Sequence, residues 1–193
     1  MMRQRSTFFM AILALTSFGG HHFFESPAYG AEAPVAAEKN PPGDISDSQV
    51  FVTYTSPLGF AIKAPEGWSR QERPDGARFA DKYGSLDVSI RSATNTVTPE
   101  SVKANDAPAL EHDGHAVKIS AISGVKLPAG PAVLIKYTSN SEANAVTGKK
   151  IRLEHDRYLV AANGKFATID FSAPAGADNV DQWKLMSESF SWK

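Results

Sequence analysis

Three histidines stand where their spacing could do chemistry. His112 and His115 lie three residues apart with Asp113 between them, and the tetrapeptide Leu110-Glu111-His112-Asp113 recurs as Leu153-Glu154-His155-Asp156. Imidazole and carboxylate together suit Zn²⁺ or another transition metal. His112, His115 and His155 are therefore the candidate ligands of a divalent metal cofactor. The competing reading makes them exposed polar residues at a helix end and a strand end, because the spacing matches no specific metal motif. Catalytic signatures are missing from the chain. There is no Gly-x-Ser-x-Gly elbow, HExxH, P-loop or dinucleotide fingerprint. No catalytic residue is assigned, and the chain is expected not to be an enzyme. With no cysteine, thiol nucleophiles, thiolate metal sites, disulfides and a lipoprotein anchor are all excluded.

The N-terminus explains where such a protein works. Arg3 and Arg5 precede the apolar run Phe8–Leu15, Gly19 and Gly20 close it, and Ala28-Tyr29-Gly30-Ala31 places small residues around a cut after Gly30 or Ala31. That order is a secretory signal peptide over residues 1–30. The apolar run is shorter than the ~20 residues a membrane span needs. A retained anchor is the alternative, since the stretch His21–Pro27 lengthens the cleavage region. The destination is the periplasm or the medium. The whole chain has 193 residues, 20 basic and 21 acidic, for a net charge of −1. Such even mixing argues against nucleic acid as a partner and against a polybasic membrane surface.

Residues 31–49 are rich in Ala, Pro, Gly and acids without apolar period, and they read as a flexible linker. The domain is expected over 50–193, about one core's worth of chain. Val50–Thr55 and Phe60–Ala64 form a hairpin around Ser56-Pro57-Leu58-Gly59. Short strands follow at Trp68–Glu72, Ala77–Asp81 and Leu86–Arg91. Thr98 N-caps a helix with Pro99 at its first position, and Pro108 should kink or end it.

Val117–Lys126 and Ala132–Thr138 are longer strands, and Ser139–Gly148 is an exposed loop, the best stretch for a contact surface. Ile151–Ala161 and Lys165–Ser172 make a hairpin at Asn163-Gly164. That turn pairs Ala162 with Lys165 and so sets Arg157 across from Asp170, a cross-strand charge pair worth at most about 1 kcal/mol. Asp178–Ser189 is an amphipathic helix with Val180, Trp183, Leu185 and Met186 at helical spacing. Trp68, Phe79, Phe171, Trp183 and Phe190 are the expected core anchors. The fold class is α+β, an antiparallel sheet with helices packed on it.

Several of these phrases resemble the PsbP-like family. They are Ser56-Pro57-Leu58-Gly59-Phe60, Ala64-Pro65-Glu66-Gly67-Trp68 and Phe79-Ala80-Asp81 near the start. Near the end they are Tyr158-Leu159-Val160, Asn163-Gly164, Ala173-Pro174 and Ser187-Glu188-Ser189-Phe190. The family includes an extrinsic photosystem II subunit, the periplasmic protein DcrB and a yeast import factor that binds the Ran GTPase. The resemblance covers residues 50–193. It implies an α/β/α sandwich of helices about an antiparallel sheet, and non-enzymatic binding or assembly work. It carries over no site residue. Three functions follow in order: an exported binding or assembly accessory of the cell envelope with an envelope protein as partner, a periplasmic metal-binding protein, and a periplasmic hydrolase.

Overall fold

In Phe51–Ser56 (β1) and Phe60–Pro65 (β2), alternating β-formers flank a turn that Gly59 closes at φ +85°. The computed structural model, which describes residues 32–93 and 96–193, pairs them with Ser56 opposite Phe60. The signal-peptide reading falls on residues outside the described ones. No helix among the described residues is long and apolar enough to cross a membrane. The last strand, Ser191–Trp192 (β10 in chain order), joins the free edge of β2, so this hairpin heads its own three-stranded sheet.

The larger sheet holds Ser69–Arg73 (β3), Gly76–Ala80 (β4), Ser85–Ser92 (β5), Lys118–Leu127 (β6), Gly130–Asn140 (β7), Arg152–Ala162 (β8) and Lys165–Pro174 (β9). All its pairings are antiparallel, in the order β3-β4-β5-β9-β8-β7-β6. Asn163 and Gly164 both take positive φ, and the β8–β9 register runs from Ala162↔Lys165 through Arg157↔Asp170, as the turn dictates.

One face of this sheet packs on the small sheet and on the helix Val180–Ser189. Phe60, Ile62, Leu86, Ile169, Phe171, Met186 and Phe190 are sealed there. Of the expected anchors, Phe79, Phe171, Trp183 and Phe190 are buried, and Trp68 packs against them half-buried. On the C-terminal helix, Trp183 and Met186 face inward, whereas Val180 and Leu185 are 68% and 40% exposed. The opposite face carries a helical rod whose Val102 packs with Val133, Ile135, Tyr137, Leu159 and Phe166. Helices thus lie on both faces of an antiparallel sheet, and one of those layers is shared with the small sheet.

Three local expectations change. The rod starts as foreseen, with Thr98 and Ser101 exchanging side-chain hydrogen bonds and Pro99 in its first turn. Pro108 does not end it. The rod passes from α1 (Pro99–Ser101) through a π-helical turn, Val102–Asp106, into α2 (Ala107–Asp113). An α-helical Pro108 would drive its ring into the carbonyl four residues back. The widened turn makes Pro108 an opening residue of α2 instead. Ser139 and Asn140, expected in an exposed loop, are the buried end of β7.

The third change concerns the stretch read as a linker. Residues 32–49 have no regular structure, yet they are strapped onto the domain. Glu32 accepts hydrogen bonds from Asn140 and Lys150, Val35 donates to Asn140, and Lys149 pairs with Glu38. Further on, Ile45 joins the main core. Asn179, 2% exposed, accepts from the Ile45 amide at 2.7 Å and donates to the Gly43 carbonyl at 3.0 Å. Composition alone missed this because the anchoring partners lie more than 100 residues away.

Asn179→Ala removes the partners of two strap backbone groups. The expected loss is about 1–3 kcal/mol of stability, with faster hydrogen exchange at the Ile45 amide; an unchanged exchange rate there would show the strap to be held by other means.

Candidate functional site

The three histidines are not brought together. His112 lies near the C-terminal end of α2, its side chain 88% exposed, with Nδ1 2.8 Å from Asp113. His115 sits just beyond, with Nδ1 2.9 Å from Glu32 and Nε2 2.7 Å from Glu142. Hydrogen bonding to those two carboxylates raises its pKa, and Glu32 is held down to about 2 by Asn140, Lys150 and His115. The two glutamates engage opposite ring nitrogens, so they cannot share an ion with one of them. Among the described residues no three His, Asp or Glu side chains converge as a metal site. The repeated tetrapeptide is a helical turn in one copy and strand in the other, which leaves His155 on the sheet with different neighbours.

Those neighbours form the most chemically dense part of the molecule. Strand alternation puts Tyr137 and Ser139 of β7, His155 and Arg157 of β8, and Asp170 and Ser172 of β9 on the rod's side of the sheet. Ser85 and Asp87 of β5 and Arg78 of β4 continue the same row. Arg157 donates to Asp170 Oδ2 at 2.6 Å and to the Tyr137 hydroxyl at 3.0 Å, and that hydroxyl donates to the same carboxylate oxygen at 2.8 Å. The Tyr137 and His155 rings stack at 4.2 Å and 9°. Ser139 Oγ lies 2.8 Å from His155 Nε2.

Two carboxylates, Asp87 and Asp170, are direct cross-strand partners. Like charges so placed repel, and each is compensated from its outer side. Arg73 and Arg78 hold Asp87, while Arg157 and, at 3.6 Å, His155 face Asp170. Burial pushes the Asp170 carboxyl up, but His155 and Arg157 outweigh it and hold it down to about 2. For Asp87 burial wins over its arginines and the pKa rises. Burial and the Asp170 charge drive the Tyr137 hydroxyl far above its usual range. The pair read from sequence as a weak surface bridge is therefore the centre of a semi-buried network, with Arg157 and Asp170 side chains 26% and 15% exposed.

A Ser–His–Asp order on adjacent strands is the arrangement of an activated nucleophile. Three features oppose that use here. His155 Nδ1 and Asp170 Oδ1 stand 3.6 Å apart and make no hydrogen bond. The other oxygen of Asp170 is already taken by Arg157 and Tyr137. Ser139 is only 8% exposed.

Beside the network the rod leaves part of the sheet bare. Two adjoining hollows of about 340 and 400 Å³ run along its flank and meet at Asp106. Phe166, Leu159 and Ile135 floor them, and an arginine stands in each, Arg91 and Arg157. The Arg91 guanidinium lies 3.6 Å over the Phe166 ring. Sequence reasoning missed Tyr137, Ser139 and Arg91 because the register of β7 and the place of β5 beside β9 depend on long-range pairing that no local turn announces.

No family model matches this chain, and no curated protein matches it. Solved structures do. The cyanobacterial PsbP of Synechocystis sp. PCC 6803 superposes with a TM-score of 0.50 at 16% identity, over 78% of this chain and 98% of that one. The Ran-binding protein Mog1p of Saccharomyces cerevisiae gives 0.50 at 11%, over 75% and 96%. A protein from Bacteroides thetaiotaomicron gives 0.50 at 13%, over 73% of this chain, which spans about half of that protein at 48%. At such identities the likeness is one of fold, and the fold is the PsbP-like one expected from the sequence.

Replacing Asp170 by Asn strands Arg157 in a semi-buried site, for which a loss of about 3–5 kcal/mol is expected. Asp170's folded pKa lies below its ordinary 3.8. Its stabilisation is therefore present above that value and is lost as pH falls toward about 2. Urea unfolding of Asp170→Asn should accordingly show a smaller loss of stability than the wild type in that acid window.

Proposed function

We propose that this chain, with its PsbP-like fold, is an exported, non-enzymatic accessory protein that binds another protein of the cell envelope. The observation that carries this reading is the half-bare sheet face beside the rod. Its floor is β-sheet, its charges are mutually compensated, and its hollows combine apolar Phe166 and Leu159 with Arg91 at an open end. Such a surface is pre-organised for docking, so little ordering cost falls on the partner. A protein whose printed name is Ran-binding shares the fold, which supports a binding role in general but names no partner here. Export rests on the leader pattern of residues 1–30.

The test is an in-cell crosslink and affinity recovery of the tagged protein, exported by its own leader. One dominant envelope partner is expected, with recovery reduced several-fold by Arg91→Glu. Repeated isolation as a lone monomer would sink the proposal.

A second reading, hydrolysis, is favoured by the 2.8 Å contact of Ser139 with His155. It requires that Ser139 become accessible and that His155 close on Asp170. A fluorophosphonate probe decides between them. Under the binding reading Ser139 stays unlabelled in the folded protein; labelling that vanishes in Ser139→Ala and His155→Ala would transfer the assignment to an esterase-type enzyme.

A further inference from the structure

A sheet that ends must deal with the unpaired N–H and C=O groups of its last strand. The seven-stranded sheet ends on β3 and β6, and it treats them differently. β3 is five residues long, exposed throughout, and carries Arg70, Glu72 and Arg73. That is a short and charged edge, unsuited to further pairing. β6 has ten residues and a single neighbour, β7. Its charges, Lys118 and Lys126, sit near its ends, and Ile119–Val125 between them carries none.

The side chains along that stretch are slim or β-branched. Ala121 and Ser123 are exposed on the face away from the rod. Ile119, Ile122 and Val125 are half-buried, and Gly124 lies beneath Pro99 at the start of the rod. The backbone edge is therefore approachable, with β-branched residues to grip an added strand.

We infer that β6 is a strand-addition site for an extended, acid-flanked segment of the partner protein; this rests on the binding function proposed above. Charge selects this occupant over a second copy of the chain. A second copy of β6 would bring only its own Lys118 and Lys126 and no acid to meet them. Among the described residues neither lysine has an ion-pair partner, whereas Lys136 and Lys149 do. Acidic residues at both ends of an incoming strand meet both lysines. The bulge at Ile119–Ala121 turns Lys118 and Lys126 to opposite faces, since their β7 partners, Thr138 and Pro131, differ in parity. The incoming acids must therefore lie on opposite faces as well, at an odd spacing like that of Thr138 and Pro131. Main-chain bonds to β6 supply affinity, and the two lysines supply register.

The experiment places a photo-crosslinking amino acid at Ser123 on β6, at Gln71 on β3 or at Arg91 in the hollow. Each full-length chain is expressed with its own leader and irradiated in cells. The expected result is an adduct from Ser123 to a partner segment with Asp or Glu at odd spacing. A synthetic peptide of that segment should bind the purified protein. Lys118→Glu with Lys126→Glu should weaken it about tenfold at low ionic strength, and less in high salt. Adducts from Arg91 or Gln71 but not from Ser123 would overturn strand addition and leave the binding function standing. A Ser123 adduct between two copies, or to a segment without acids, would also overturn it. Silence at all three positions would remove both proposals.

Discussion

The register of β8 against β9 is the constraint from which the rest of this molecule follows. It is set at a turn of two residues, where Asn163 and Gly164 take φ of 53° and 74°. A strand's side chains alternate between faces, so a slip of one residue would send every one of them to the wrong layer. A slipped β8 would carry Tyr158 and Val160 out of the main core and turn Arg157 and His155 into it. The hydrophobic cost on one face and the desolvation cost on the other forbid the slip together. Because β5 pairs with β9 and β7 with β8, this hairpin is the centre on which both halves of the large sheet are laid.

The polar side of that arrangement obeys one rule. Asp87 and Asp170 face each other across β5 and β9, and arginines approach from the far side of each. The result is a ribbon of charge across the sheet floor in the order Arg78, Asp87, Asp170, Arg157, with the two acids inside and an arginine at each flank. Much of the network's hydrogen-bonding capacity is spent within the sheet, among Arg157, Tyr137 and Asp170.

Sequence disclosed much of this and hid the rest for definite reasons. The Asn163-Gly164 hairpin, the Thr98–Pro99 helix start and the Arg157–Asp170 facing pair were legible because each is local. The energetic rank of that pair was not legible, since it depends on Tyr137 and His155 arriving from the β7–β8 pairing across a long intervening loop. The candidate metal histidines shared a pattern in sequence, but among the described residues they do not converge as a group of three. Pro108 read as a residue that kinks or ends the helix; the rod does not end there, because a π turn upstream departs from the α-helical geometry that the rule assumes. The strap read as a linker because its composition is linker-like, while its anchors are Asn140 and Asn179.

That strap bears on when the chain can fold. Its contacts join Val35 to Asn140, Ile45 to Asn179 and Asp47 to Gln182, across separations of 105 to 135 residues. The small sheet adds another closure of this kind, since β2 receives β10 from the last residues of the chain. The earliest part of the strap thus meets its partners only once residues 140–150 are made, and Ile45 and Asp47 only once Asn179 and Gln182 are. Contacts of such high order make folding slow relative to local structure. A nascent chain of this design can form its early hairpins, but its strap and small sheet close only when the far end of the domain has been made.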